Sequence, residues 1–492
     1  MRILNVFAGR ALKFLPWLLL VTVFSIPLSV KVYFLPIDLE VIFPAEPLIG
    51  ICFLAMMLLL MDPAYRASLD RSILRHPITL LVAAHILMGM VSALFSGHAM
   101  VSAKAMVVRT VYIVVFFGST AWLPKVTTLK PSSLFPSYAG AFLLVVLYTA
   151  VNQMGTGFHR VGASYASFPF YSDHTIYGAA LVFVLIYTGI VAGGGSASFG
   201  LGGSRWKMLT RTVSMVLLVA LCISFCRAAW LSAVAAMALF VLLRIGVEFR
   251  TIALASAALL LVFSVLNERA MRAMSFETVD SYSEQAGLKE SVLSLTNVTH
   301  DGSNRERLNR WKCALRMFRD RPFTGFGPGT YQFVYVPYQK KEERTYMSVT
   351  NAIPPDRITK VWSFTDRLFI RANPQILHIS GGSAHSEYLL TLSESGIFAL
   401  LVQLTLLTLA MWKAAAHFVA DARGPRRAAY LFVLLATAAY SIHGLFNNFL
   451  DDCKVAFLFW ATLGLLVQLD NDGSGDVPMD HRSGLKDHEG RP

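Results

Sequence analysis

Residues 210–243 read TRTVSMVLLVALCISFCRAAWLSAVAAMALFVLL: two apolar runs, 210–226 and 228–243, that meet at one arginine, Arg227. Crossing the hydrocarbon core of a bilayer takes about 20 apolar residues per helix. Runs this long and this poor in charge belong in lipid, and the arginine between them marks a turn too tight to be a spacer. Working outward, the same pattern recurs near 14–30, 41–61, 78–94, 105–123, 134–152, 175–193, 251–266, 386–411, 428–446 and 454–469. The composition agrees. Of 492 residues 55% are hydrophobic and only 15% charged, where a soluble domain carries about 25%. The chain is predicted to be an all-α polytopic membrane protein with about 12 spans.

The net charge of +13 could indicate nucleic acid, but its distribution argues for topology instead. With the N-terminus in the cytoplasm, about seventeen lysines and arginines fall in inner segments, against about four in the short outer loops, the asymmetry of the positive-inside rule. Arg66, Arg71, Arg75, Arg205, Lys207, Arg211, Arg426 and Arg427 are among the inner ones; Lys31, Lys104, Arg160 and Lys454 are the outer four. No nucleic-acid partner is expected. The N-terminus is basic, then apolar, without a small-residue cleavage site, and reads as a retained first span. The organisation expected is spans 1–9 over 1–266, a large outer loop domain over 267–384, spans 10–12 over 385–470, and a polar Gly-rich cytoplasmic tail over 471–492.

The outer loop holds the soluble-like sequence. NRERLNRWKCALRMFR at 304–319 reads as an amphipathic helix, with Leu308, Trp311, Leu315 and Phe318 at three- and four-residue spacing on one face. Pro322 ends it, and Gly325, Gly327, Pro328 and Gly329 form a tight turn.

Charges at membrane depth are costly and face a polar cavity or a partner, so the outer ends of the spans are the place to look for chemistry. Arg227 sits at an outer mouth. Arg160 lies in the outer loop after the fifth span, and Arg109 about one turn inside the fourth. Three arginines from separate helices make a candidate anion site, because a guanidinium is permanently charged and grips phosphate with two parallel hydrogen bonds. Snorkelling to lipid headgroups is the competing reading, evenly matched for Arg109 and weaker for Arg227. His385 opens the tenth span after a Gly-Gly-Ser run. At a helix N-terminus the dipole favours the neutral imidazole, the form that can accept a proton. Glu387 and Glu394 lie two turns apart on one helix face. For Glu394, at membrane depth, a buried pair with an arginine is the favoured reading. His85 reads as a packing or helix–helix hydrogen-bonding residue, and His174 and His443 as candidates to line the same outer cavity. Asp451 and Asp452 read as solvated. Asp38 and Glu40 are spaced as a weak metal-binding pair, but no clear metal set, disulfide framework, Walker loop or dinucleotide fingerprint is present.

RLNRWKCALRMFRDRPFTGFGPGTY at 307–331, followed by AHSEYLLTLSESG at 384–396, resembles the O-antigen ligase and polymerase superfamily of bacterial membrane glycosyltransferases. Arg227 in CRAAW resembles that family's Arg-containing turn before the eighth span, Arg160 resembles the arginine that follows its fifth span, and the likeness runs roughly over 150–410. Ala399 stands where the ligase pattern carries Gly, Thr or Tyr, and FYSDHTIYGA differs from the Asn-rich version of ligases, so both reactions stay open. The resemblance implies transfer of a glycan from undecaprenyl diphosphate to an acceptor hydroxyl, on lipid A-core in ligases or another lipid-linked chain in polymerases. It implies His385 as the group that takes the acceptor hydroxyl proton as base or orients that hydroxyl, and Arg160, Arg227, Arg307 and Arg310 on the donor diphosphate. Arg109, Arg305, Glu387 and Glu394 are accessory candidates, with Arg305 able to replace Arg307 if the helix is rotated. No cofactor or metal is implied; the partners are the lipid-linked donor, the acceptor and membrane lipids, in the bacterial inner membrane. A lipid-linked-sugar flippase and a structural membrane subunit are the rival readings.

Overall fold

The computed structural model describes residues 2–34, 39–69, 71–199, 201, 204–258, 302–340, 343, 382–420 and 424–473. Asp38, the end of the ninth expected span, most of the expected outer loop domain and the tail from 474 lie outside them. The described chain is almost wholly helical. Its helices are α1 (Arg2–Leu28), α2 (Ala45–Met61), α3 (Pro77–Leu94), α4 (Ala99–Ala121), α5 (Leu134–Thr156), α6 (Arg160–Tyr165), α7 (His174–Ala192), α8 (Ser204–Ile223), α9 (Arg227–Arg244), α10 (Gly302–Asp320), α11 (Glu387–Ala420), α12 (Arg427–His443) and α13 (Cys453–Gly473). Single turns join some of them, and a further apolar helix covers Phe249–Ala258.

Among the described residues, nine helices are long and apolar enough to cross a membrane. The twelve expected spans exceed this because α2 and Phe249–Ala258 are short apolar helices and α12 has 17 residues. Large apolar side chains such as Trp17, Leu54, Val151, Val234 and Leu401 stand more than half exposed on the outside of the bundle. In water that many apolar faces would drive association; in lipid they are solvated. The core gathers around α13, whose residues from Cys453 to Val467 are nearly all buried. It packs on α4, with α7 and α12 alongside; α11 rests on α3 and α12, and α9 on α12.

The first expected outer loop is not plain loop. Val30–Phe34 (β1) and Leu39–Phe43 (β2) pair antiparallel, with Val30 opposite Phe43. Lys31 and Glu40 pair at 2.8 Å across the hairpin. β-Branched and aromatic residues on both strands suit a two-strand ribbon, a signal too short to stand out beside the apolar run that follows. Ser29 after α1 accepts a bond from Lys454 at the start of α13, at 3.0 Å. So α1 and α13 meet at one membrane face, here the loop face because α10 packs there too. The other end of α13, about 30 Å away at 1.5 Å per residue, defines the far face.

Candidate functional site

The loop face is built from helix ends that the sequence breaks sharply. Three residues separate α8 from α9, and Phe225, φ +51°, turns the chain before Arg227. Cys226 caps α9 without a side-chain bond. Its Sγ lies 3.9 Å from His443 Nε2 at the end of α12. Beyond His443, Gly444 O accepts from Glu387 N–H at 2.8 Å. Arg227 and His385 therefore belong to the same end of the bundle. His385 itself is held at φ +51°, and Phe158, two residues before Arg160, at +54°. These are the three non-glycine residues with positive φ among the described residues, and each lies at or within two residues of a candidate. Left-handed backbone at a β-carbon-bearing residue costs on the order of 1 kcal/mol and persists where its surroundings impose it.

α10 brings the next groups. Its expected apolar face is wrong in phase: Leu308, Trp311 and Phe318 are only partly buried and Leu315 is 42% exposed. The buried face instead carries Glu306, Asn309, Arg310, Cys313, Ala314 and Met317. Polar residues can occupy it because they satisfy one another. Arg310 Nε donates to Glu306 Oε1 at 2.7 Å, both side chains about 5% exposed, and the guanidinium lies 4.1 Å over the Tyr335 ring. Periodicity that counts only apolar residues misses a face stabilised by an internal ion pair. The other side meets the loop after α12: Arg307 Nε donates to Phe446 O at 3.3 Å. Trp311 Nε1 donates to His385 O at 3.2 Å. Gly382, φ +66°, passes so close that a β-carbon would stand 2.9 Å from Arg310 Nη1. Thus His385 is tied to α10 by its own carbonyl, with Arg307 and Arg310 nearby. Arg305 is half-buried on the same helix.

Burial first, then the fields of Arg307 and Arg310, push the His385 imidazole down to about 4. The direction favours the neutral imidazole, with burial and two guanidinium groups as the causes. Asp173, the N-cap of α7, accepts from Thr175 N–H at 2.7 Å. Burial works to raise its pKa, but His174 and the Thr175 bonds hold it below the usual carboxylate range, and His385 contributes. Asp173 therefore joins the group around His385. Sequence reasoning passed over it in FYSDHTIYGA, although an aspartate preceding a helix is a recognisable cap. His443 is 2% exposed beside Phe449 and Cys226. Arg160 opens α6, which packs on α5 and α7; its side chain lies outside the described part.

Arg109 stands apart from this group. α4 starts at Ala99, so Arg109 is nearly three turns inside and not one. Its guanidinium is committed to acids. Nε and Nη2 grip Asp451 at 2.6 and 3.0 Å, and Nη2 reaches Glu394 at 3.2 Å. The buried arginine pair expected for Glu394 is present. Asp451, expected to be solvated, is half exposed but tied to Arg109. Asp452 caps α13 through Lys454 N–H at 2.9 Å. Lys454, counted as an outer-loop cation, is 2% exposed and also donates to Phe170 O. Below Glu387 a cavity is lined by His85, Arg109, Thr391, Glu394 and Trp460, and His85 packs against Trp460 as expected. Among the described residues no group of three or more His, Cys, Asp or Glu is arranged to hold a metal.

The fold and this site define a polytopic helical membrane protein with a cation-rich polar site at one membrane face. Residues 212–352 match a family model described as O-antigen ligase, which supports the resemblance to the O-antigen ligase and polymerase superfamily. The matched stretch includes Arg227, Arg307, Arg310 and the glycine-rich turn; His385 follows it and Arg160 precedes it. No curated protein matches the chain.

Proposed function

We propose that this protein transfers a glycan from undecaprenyl diphosphate to an acceptor hydroxyl, in the manner of an O-antigen ligase, at the periplasmic face of the bacterial inner membrane. The observation that carries the reading is the meeting of His385 with Arg307 and Arg310 of α10, at the same bundle end as Arg227. The acceptor oxygen attacks the anomeric carbon as the bond from that carbon to the phosphate oxygen breaks. His385 takes the hydroxyl proton, and direct attack inverts the anomeric centre. The leaving diphosphate carries the charge away, and Arg160, Arg227, Arg307 and Arg310 are the groups that meet it. Preorganised donors of this kind are each worth on the order of a hundred-fold or more in rate.

The depressed affinity of His385 for protons fits this cycle. Without donor, Arg307 and Arg310 repel a proton from the imidazole. A bound diphosphate offsets both fields, so the base strengthens when the substrate is in place. The test uses purified full-length protein in lipid nanodiscs with an undecaprenyl-diphosphate glycan and a lipid A-core acceptor. Release of undecaprenyl diphosphate is expected, falling by about 10²–10⁴ in His385→Ala, the usual worth of a general base. Unchanged turnover in that variant removes His385 from the mechanism. Product that grows only by addition to a second lipid-linked chain assigns polymerisation in place of ligation.

A further inference from the structure

α11 is not one helix. At Gly396 the backbone leaves helical space (φ +80°, ψ −176°), freeing the carbonyls just before it. The glycine-rich turn after α10 fills the gap. Phe326 N–H donates to Ser393 O at 3.1 Å and Gly327 N–H to Glu394 O at 2.8 Å, while Ile397 N–H donates back to Pro322 O at 2.9 Å. The turn takes over backbone bonds that an unbroken helix would have made within itself, which is how irregular backbone is tolerated at a membrane-embedded site. The fit leaves no room. A β-carbon on Gly325 would stand 2.3 Å from Glu394 O, and one on Gly396 2.3 Å from Phe323 O.

The Glu394 side chain then makes a second tie to the same segment. Oε1 accepts Tyr331 N–H at 3.2 Å, and Oε2 accepts Arg109 Nη2 at 3.2 Å. Arg109 in turn grips Asp451, in the loop after α12 that receives Arg307 at Phe446 O. One guanidinium therefore joins the broken helix, the inserted turn and the loop beneath the candidate site.

We infer that Arg109 and Glu394 are positioning residues: their ion pair clamps the turn into the α11 break and so sets α10, with Arg307 and Arg310, over His385. This rests on the transfer reading for its effect on rate, and on geometry alone for the clamp. Neither residue touches the reacting atoms. A displacement of about 1 Å at such a site costs on the order of a hundred-fold in turnover, because diphosphate and base must be aligned together. A merely structural pair would lower stability without changing the turnover of the folded molecules.

The experiment combines amide hydrogen exchange with kinetics on full-length protein in nanodiscs. Glu394→Gln keeps an acceptor for Tyr331 N–H but not the charge. Arg109→Lys keeps the charge but not the planar fork. Arg109→Gln/Glu394→Gln replaces the ion pair with a neutral one. Amides at 325–331 are expected to exchange at least about tenfold faster in Glu394→Gln and Arg109→Lys, with α7 and α13 still protected. In both, kcat should fall by about tenfold or more and KM change by less than about threefold. The double variant should be no worse than Arg109→Gln alone, the non-additivity expected of a coupled pair. Unchanged exchange in the turn overturns the clamp, whatever the reaction. Faster exchange with normal kcat overturns the positioning role. Faster exchange in a protein whose wild type turns over no lipid-linked glycan overturns the transfer reading, and with it the positioning role, while the clamp stands.

Discussion

Two buried carboxylates, one near each face of the bundle, are surrounded in different ways. Glu394, 3% exposed, lies beside a broken helix, an inserted turn with Gly325, Gly327 and Gly329 all at positive φ, and the left-handed His385. Asp470, 8% exposed at the far end of α13, is held by side chains on or at the ends of regular helices. Lys413 donates to its Oδ2 at 2.8 Å and His76 Nε2 to the same oxygen at 3.1 Å. Tyr430 OH donates to Oδ1 at 3.3 Å, with His417 at 3.3 Å. His76 Nδ1 accepts from Ile78 N–H, which leaves the proton on Nε2 to donate. Both sites satisfy a costly charge, but only one does so with strained backbone. Strain survives where the surroundings over-determine it, and function is a common reason for retaining it. The far-face hub ties α11, α12 and α13 together at no conformational cost, as an anchor needs to; the loop-face network holds a site in shape.

The sharpest way to break that contrast is to add one methyl group to Gly396. Gly396→Ala combines an unfavourable φ with a β-carbon 2.3 Å from Phe323 O, so the turn must leave the break or the helix must straighten. Turnover should fall by more than about a hundred-fold, the scale of a displaced site. Gly246→Ala is the control, with φ +87° but nothing within 4 Å. It should cost only about 1 kcal/mol of backbone strain and leave turnover intact. Equal loss in both variants would mean that positive φ alone matters and that the inserted turn has no special role.

At the far face the expected effect is smaller and of another kind. Asp470→Asn removes the charge that faces Lys413, His76 and His417, leaving a lysine partly buried without its counter-ion. Breaking a buried pair in this way costs about 3–5 kcal/mol, and the 26% exposure of Lys413 puts the loss at the low end or below. Thermal unfolding of the detergent-solubilised protein should begin several degrees lower, while kcat of the folded fraction stays unchanged. A fall in kcat without lost stability would erase the distinction between anchor and site.

How much of this the sequence makes legible follows from the range of each signal. Spans are read well because each is a continuous local run, and the Arg227 turn stands out because a charge interrupts apolar sequence. The Glu394 pair is foreseeable because a carboxylate at membrane depth must find a cation, but its partner is 285 residues away and has no local mark. Helix phase in α10 is misread because Glu306 and Arg310 neutralise each other on the buried face. Asp451 is misread because two adjacent aspartates look like surface. The break at Gly396 is invisible, since SESGIFALL reads as one apolar helix with a glycine in it. What opens it is backbone supplied from residues 322–327, a contact that no local pattern encodes.

The smallest expected effect is on the pH profile. His385 has its proton affinity lowered to about 4, below the ordinary 6.5 or so of histidine. Between those values the unfolded chain binds a proton that the folded site refuses. Stability from this group is therefore fully present above pH 6.5 and is lost as pH falls toward 4. The same shift favours the neutral form of the proposed base across the neutral range. kcat/KM reports the free enzyme, so its profile should be flat from about pH 6 to 8 and fall only near pH 5 and below. In the proposed reaction kcat reports the donor complex, where a diphosphate would offset Arg307 and Arg310, so its acid limb should lie at higher pH. In Arg310→Gln the kcat/KM limb should also move upward, because one of the two repelling cations is gone. Coincident limbs in the wild type would show that the donor does not sit against those guanidinium groups, and would detach α10 from the diphosphate.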